Sequence, residues 1–319
     1  MSFPVANELK SEMPKAIAVL MGGPGSEREV SLATGKGVAK ALRSSGAEVF
    51  EVDVKGPDFE LPKGTELAFI ALHGTFGEDG QVQRILEDRN VAYTGEGVEE
   101  SRLAFDKIRS KEKFVAAGVA TPEWEVISAG SRPSFALPFV IKAPRQGSTV
   151  GVCIVKEAQG VEKGLLEAAK YDRELLIEKF VPGRELTIGV LGNQALPIIE
   201  IIAKGGVYDF TNKYPFLNPG AGGSADHVCP AAIGEAMTTA IQDLALRAHQ
   251  ALGLQVYSRV DVLLPENGEP TVLEVNTIPG MTEASLLPEA AAVAGINYPE
   301  LCMRIISLSR ARVSEVVRK

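Results

Sequence analysis

Three cysteines, three histidines and one tryptophan in 319 residues leave little material for several common chemistries. Cys153, Cys229 and Cys302 are unevenly spaced and form no C-x-x-C pair. Neither a disulfide framework nor a thiolate zinc site is expected, and each reads as a small buried hydrophobe in a reducing compartment. The leader MSFPVANELKSEMP holds no continuous apolar stretch, and no run of about 20 apolar residues follows it. A signal peptide and a membrane span are therefore not expected, and the reading is a cytoplasmic chain. Basic residues are in the minority: 33 Lys and Arg against 41 Asp and Glu give a net charge of -8. That argues against nucleic acid or an anionic membrane as partner, since both need a basic face. Familiar signatures are missing too. There is no G-x-x-x-x-G-K-[ST], no H-E-x-x-H and no G-x-S-x-G, and in GGPGSER Arg28 stands where a dinucleotide fingerprint needs its third glycine.

What is present is an ordinary globular mixture, 45% hydrophobic and 23% charged, in a chain long enough for two or three packed domains. The opening reads β-α-β-β-α. AIAVLMGG (16–23), AEVFEVDV (47–54) and LAFIAL (67–72) are strands; helices start near Glu27 and cover 81–89. Such alternation predicts a Rossmann-like parallel α/β sheet with ligands at the strands' carboxyl ends, where GGPGSERE and HGTFGEDG lie. One long helix is expected over roughly 98–117. A smaller α+β unit follows, with strands 139–143, 152–156 and 174–180, and then a C-terminal α+β unit with helices near 231–252 and 298–317. The expected division is a disordered leader at 1–14, then domains 15–97, 98–183 and 184–319.

Two apolar runs near the C-terminus hold charges that a buried strand does not tolerate alone: VYSRVDVLL (256–264) and PTVLEVNT (270–277). Residues two apart share a strand face, so Arg259 goes with Asp261 and Glu274 with Asn276. The Asn267-Gly268 dipeptide between them is a hairpin signal. If it forms the turn, Asp261 faces Glu274 and Arg259 faces Asn276. Opposed carboxylates on apolar strands need a cation or a proton between them, and an all-oxygen ligand set suits magnesium carrying nucleotide phosphates. The competing reading, a solvated outer face, sends Val260, Val262, Leu273 and Val275 inward. Separately, KAPRQGSTVGV leaves a strand at Lys142 and turns through Gly147, Ser148 and Thr149, a combination able to cradle phosphate but also common in plain turns.

Taken in order, AVLMGGPGSEREVSL, ALHGTFGEDG, FDKIRSK, KAPRQGSTVG, LIEKFVPGRELT, SRVDVLL and LEVNTIPGMTEASLLP resemble the D-alanine–D-alanine ligases of the ATP-grasp superfamily, from about Lys15 to the C-terminus. The resemblance implies an ATP-grasp fold, with ATP gripped between the central and C-terminal domains. It implies that Lys107 and Lys142 meet phosphates. Glu178, Lys179 and Val181 form the hinge around adenine, with Glu185 at the ribose. Asp261, Glu274 and Asn276 hold two magnesium ions, with manganese as a substitute. Glu27 takes the first D-alanine's ammonium beside Ser148 and Tyr214, and His73, Arg259, Gly280, Ser285 and Leu286 surround the two substrates. A homodimer is the assembly it implies.

The activity it implies is ligation of two D-alanines through an acyl phosphate, for peptidoglycan precursors. Arg259 and the Gly280 N–H then stabilise the tetrahedral oxyanion. The glycine-rich stretch after Tyr214 (215–227) reads as a mobile lid. The nearest alternative is the same fold using D-lactate or D-serine as second substrate, which Lys213-Tyr214 disfavours. A nicotinamide dehydrogenase would leave the hairpin unexplained, and a non-catalytic nucleotide module has nothing in its support.

Overall fold

The computed structural model describes residue 9 and residues 13–203, 225–266 and 268–317. Its first sheet is parallel, in the order β2 (Glu48–Val54), β1 (Ala16–Gly22), β3 (Leu67–Ile70), β4 (Ala92–Tyr93). Alternation along β1 decides how it is covered. Ile17, Val19 and Met21 share a core with Val38 and Leu42 of α1 (Arg28–Ser44). Ala18 and Leu20 join Val82 and Leu86 of α2 (Gln81–Asp88) on the other face. Both faces are thus apolar, as a parallel sheet requires, and the loops after β1 and β3 emerge together at the carboxyl edge. Within the expected leader, Leu9 and Pro14 are buried and Met13 packs on the α1 core; the rest of 1–12 lies outside the described residues.

The single helix expected over 98–117 is two. α3 (Val98–Phe105) stops at Asp106, whose backbone is extended, and α4 (Lys107–Ala116) starts there. The Asp106 carboxylate accepts hydrogen bonds from the N–H groups of Ile108 (3.0 Å) and Arg109 (3.2 Å). Aspartate favours this capping role over a helix interior, so it ends one helix and begins another.

The second sheet is antiparallel, in the order β5 (Trp124–Ser128), β8 (Glu174–Lys179), β6 (Phe139–Lys142), β7 (Val152–Val155). One face packs Ile141, Val155, Leu175 and Ile177 against α5 (Val161–Ala168). The third sheet runs β12 (Ala225–Val228), β11 (Ile199–Ala203), β9 (Arg184–Leu191), β13 (Tyr257–Leu264), β14 (Thr271–Asn276), with β10 (Gln194–Ala195) folded back on β9. Leu186, Ile188, Val260, Val262, Val272 and Val275 turn toward α6 (Glu235–Ala251). Two further helices follow, α7 (Leu286–Val293) and α8 (Tyr298–Val317). Sequence periodicity missed α7, because Glu289 is the one polar residue in LLPEAAAV and the exposed positions, Ala292 and Val293, are apolar. It is buried in the core shared by the first and third sheets, alongside Val19, Ile199 and Ile305. Tyr214 and residues 215–224 of the expected lid lie outside the described residues; 225–227 belong to β12.

Candidate active site

The hairpin places its charges in register: Asp261 faces Glu274 and Arg259 faces Asn276. The route to that register differs from the turn argument. Near the turn the pairs are Val262–Val272 and Leu263–Thr271, one residue out of step, and a bulge at Leu273 restores the pairing. A bulge adds one residue to one strand and re-aims its side chain. Val260, Val262 and Val275 do point inward, whereas Leu273 lines the opposite, ligand-facing cleft. Asp261 also faces Thr187 on β9, so Thr187, Asp261 and Glu274 form one row across three strands. The Thr187 hydroxyl donates to Asp261 Oδ1 at 2.6 Å. Arg259 donates through Nε to Oδ1 (2.9 Å) and through Nη2 to Oδ2 (2.8 Å). The Glu274 carboxylate lies 3.3 Å from the Lys107 ammonium, and Asn276 Oδ1 accepts from the Ile278 N–H.

Opposite this row stands the uncovered face of the second sheet. Between them opens a cleft of about 450 Å3 lined by Lys142, Thr149, Ile154, Glu178, Lys179, Val181, Glu185, Leu263 and Leu273, a size and polarity suited to a nucleotide. Lys142 and Glu178 are diagonal neighbours on β6 and β8, and their charged atoms meet at 2.6 Å. Burial disfavours the Lys142 ammonium, but the carboxylates of Glu178, Glu274 and Glu185 together outweigh it and raise the pKa above the usual lysine value. Burial likewise works against Glu178, yet Lys142 and then Lys111 hold its carboxyl below the ordinary range. The exposed Lys179 ammonium turns away to Glu123 (2.8 Å). A larger cleft, about 860 Å3, lies on the far side of segment 181–184 against Ile233, Met237 and Leu264. It contains neither Lys142 nor Glu178, so the chemistry marks the smaller one.

At the inner end a small pocket brings Glu78, Lys107, Gly147, Ser148, Glu274 and Asn276 together. The Lys107 ammonium donates to the Gln146 carbonyl at 2.8 Å, tying the glycine-rich loop to the hairpin. Ser148 sits at φ +53°, a left-handed conformation that costs a non-glycine residue roughly 1–3 kcal/mol. Its buried Oγ has no hydrogen-bond partner among the described residues. The buried Glu27 precedes the first residue of α1 without a side-chain capping bond and lies close enough that a methyl on Gly147 would meet its Oε2 at 2.8 Å. The loops after β1 and β6 therefore converge on one carboxylate.

His73 is buried, and burial pushes its pKa down to about 4. The neutral ring donates from Nδ1 to the Ile278 carbonyl (3.1 Å), so Nε2 accepts from the Thr34 hydroxyl (3.0 Å). Both nitrogens are engaged, and the contact clamps the segment leading to Gly280. Ser285 Oγ accepts from the Thr282 N–H at 3.0 Å and stands beside Gly280; Leu286 opens α7 and is buried in the core. Sequence reasoning missed Glu78, although it singled out HGTFGEDG. Glu78 accepts from the Gly74 N–H (2.8 Å), and burial followed by the Glu27 carboxylate pushes its pKa up to about 8. Thr187, Leu273 and Lys111 were missed as well; a bulge and a cross-sheet hydroxyl leave no trace in spacing.

The family model for the D-ala D-ala ligase C-terminus matches residues 115–307. A D-alanine–D-alanine ligase of Methylacidiphilum infernorum is 44% identical over 300 residues, covering 94% of this chain and 97% of its own. One from Citrifermentans bemidjiense is 46% identical over 303 residues, with the same coverages. The chain belongs to the D-alanine–D-alanine ligase family. A crystal structure of the Bacillus anthracis D-alanine–D-alanine ligase superposes with a TM-score of 0.83 at 32% identity, covering 95% of this chain and 100% of that one. The same organism's ligase complexed with ATP gives 0.79 at 31% identity, with equal coverages. The three sheets thus form the ATP-grasp arrangement of this ligase family. No described helix is long and apolar enough to cross a membrane.

The donor set can be tested against magnesium. Among the described residues no three His, Cys, Asp or Glu side chains converge as a closed metal site. Asp261, Glu274 and Asn276 instead offer hard oxygens from one face of the hairpin, with two carboxylates opposed; Glu274 and Asn276 line the small pocket and Asp261 is buried against Arg259. Magnesium characteristically binds one or two carboxylates and completes its shell with water and substrate phosphate, so these residues fit it.

Proposed function

We propose that the chain ligates two D-alanine molecules to D-alanyl-D-alanine with cleavage of ATP to ADP and phosphate, supplying a peptidoglycan precursor in the cytoplasm. One observation carries the reading: the 450 Å3 cleft with Lys142 and the small pocket with Lys107 and Glu274 are lined by consecutive residues, Thr149 and Leu273 in the first and Ser148 and Glu274 in the second, and Glu27 lies against Gly147 of the same loop. A nucleotide and an amino acid so placed share the phosphate end of the cleft.

In this reading Glu178, Lys179 and Val181 border adenine and Glu185 meets the ribose, while Lys107 and Lys142 receive the phosphates. Glu27 holds the first D-alanine's ammonium, with the Ser148 hydroxyl and Tyr214 beside it. The substrate carboxylate attacks the γ-phosphorus, the bond to the bridging oxygen breaks, and ADP and an acyl phosphate result. Lys107 and Lys142 lower the repulsion between the two anions. Asp261, Glu274 and Asn276 would hold magnesium, which when bound supplies further charge stabilisation at the phosphates. The neutral amine of the second D-alanine attacks the acyl carbon. Arg259 and the Gly280 N–H stabilise the oxyanion, and phosphate leaves. His73 acts by clamping the Ile278 carbonyl, which fixes the segment carrying Gly280, and Ser285 with Leu286 borders the second substrate. The division into units 15–97, 98–183 and 184–319 and a homodimeric assembly belong to the same proposal.

The test is ADP release with D-alanine or L-alanine as the sole amino acid, and identification of the product when D-lactate or D-serine is added to D-alanine. D-alanine alone should drive full turnover. Equal response to L-alanine would overturn the substrate assignment, and preference for D-lactate would move the protein to the depsipeptide reading.

A further inference from the structure

α4 presents two lysines four residues apart, so they lie on one face of the helix. Lys107 reaches Glu274 on the third sheet. Lys111 is 1% exposed and reaches Glu178 on the second, with its Nζ 2.8 Å from Oε1 while Lys142 takes Oε2. A buried lysine with no path to solvent is rare, and two lysines on one 2%-exposed carboxylate is a costly arrangement for a fold to maintain for its own stability. Lys111 is itself pinned: its ammonium donates to the Thr121 hydroxyl at 2.5 Å and to the Pro122 carbonyl at 3.4 Å. The Thr121 hydroxyl donates in turn to the carbonyl of Val272, the residue before the Leu273 bulge. A chain of polar contacts therefore runs from Lys142 through Glu178, Lys111 and Thr121 to the hairpin.

Each carboxylate oxygen of Glu178 has its own ammonium. Were Lys111 neutral, Glu178 would pair with Lys142 alone, and the two charges would cancel as seen from the cleft. With Lys111 in place, two positive charges share one negative, and Lys142 keeps attraction for an incoming anion. We propose that Lys111 is a positioning residue for the nucleotide's phosphates, acting through Glu178 to keep the Lys142 ammonium fixed and incompletely neutralised. This rests on the reading that Lys142 meets the phosphates of ATP.

Equilibrium binding of ADP and of adenosine by the full chain tests it, because only ADP carries the charges concerned. In Lys111→Met, ADP should bind about tenfold more weakly and adenosine within about twofold of the parent. KM for ATP should rise with the ADP loss, while KM for D-alanine stays. Lys111→Arg keeps the charge and should retain most ADP affinity. The double variant Lys111→Met/Glu178→Gln removes one charge of each sign and should recover the parental ratio of ADP to adenosine affinity. Where Lys111→Met does not fold, Glu178→Gln alone decides the matter: it leaves two ammonium groups beside a neutral amide and should raise the ratio of ADP to adenosine affinity, and an unchanged ratio would overturn the proposal. Equal losses for ADP and adenosine, or a lowered melting temperature with an unchanged ratio, would make Lys111 a structural brace and overturn the proposal. Lys142→Met separates the two readings: if it leaves ADP affinity intact, the phosphate assignment of Lys142 fails first.

Discussion

Gly147→Ala isolates the first-substrate carboxylate with a single methyl. The added Cβ would lie 2.8 Å from Glu27 Oε2 and 3.3 Å from Gly74 Cα, against an ordinary carbon contact of about 3.5 Å. Gly147 is outside the left-handed region, so alanine brings no backbone strain there. The closest atom is the far end of a flexible side chain, which moves more readily than the loop. The fold should therefore change by no more than about 0.5–1 kcal/mol, part of it a gain from a stiffer unfolded chain. Function should change more. A hydrogen bond to a charged group contributes roughly 1.5–3 kcal/mol, and displacing Glu27 forfeits part of it. A loss of about 1.4 kcal/mol corresponds to a tenfold weaker first D-alanine site. The assay is ADP release with D-alanine varied at saturating ATP, fitted with two amino-acid sites, then with ATP varied at saturating D-alanine. The expected outcome is a raised D-alanine constant with the ATP constant within twofold and a nearly unchanged melting temperature. An unchanged D-alanine constant, or equal rises for both substrates, would refute the placement of Glu27 at the ammonium.

Asp261→Asn and Glu274→Gln should each lower magnesium-dependent ADP formation at least about 100-fold with circular dichroism unchanged, since each removes one of two opposed carboxylates; near-normal turnover in either would remove the metal assignment. Thr187→Val keeps the shape but deletes the 2.6 Å donor to Asp261, so the magnesium concentration for half-maximal rate should shift several-fold and stability should fall by about 1–3 kcal/mol. A variant with wild-type magnesium response would show that Thr187 is mere packing. Burial pushes His73 and His249 from 6.5 down to about 4, so the unfolded chain binds more protons between those values. Stability is then full above about pH 6.5 and is lost as pH falls toward about 4, by up to roughly 3 kcal/mol per histidine. Melting curves of His249→Gln should show a shallower acid decline than the parent, and parallel profiles would count against the burial argument.

The parallel opening sheet was legible because β1 is apolar at every position, a pattern that only double coverage explains. Residue spacing also placed Arg259 with Asp261 and Glu274 with Asn276 correctly on one face. The helix break at Asp106 was harder to see. Hydrophobic spacing continues through it, and only the capping preference of aspartate hints at the interruption. α7 was hidden because helix periodicity needs a polar face, and the exposed positions of this helix, Ala292 and Val293, are apolar. Glu78, Lys111 and Thr187 lie beyond reach for a shared reason. Each matters through a partner on another element: the Gly74 amide, Glu178 and Asp261.

The hairpin shows how a correct pairing can rest on an incomplete cause. A two-residue turn with uniform pairing puts Asp261 opposite Glu274, and so does the observed strand. The observed strand gets there by inserting Leu273, whose side chain the regular alternation would have buried. The bulge thereby puts an apolar group beside Glu274 in the lining of the 450 Å3 cleft. The electrostatic inference changes in the same way. Two opposed carboxylates need positive charge, and the protein supplies it to both: Arg259 to Asp261 and Lys107 to Glu274. Charge balance is therefore met by the chain itself and does not single out a metal. What favours one is the all-oxygen donor set that Asp261, Glu274 and Asn276 present on one face of the hairpin, with the Lys107 ammonium held against Glu274.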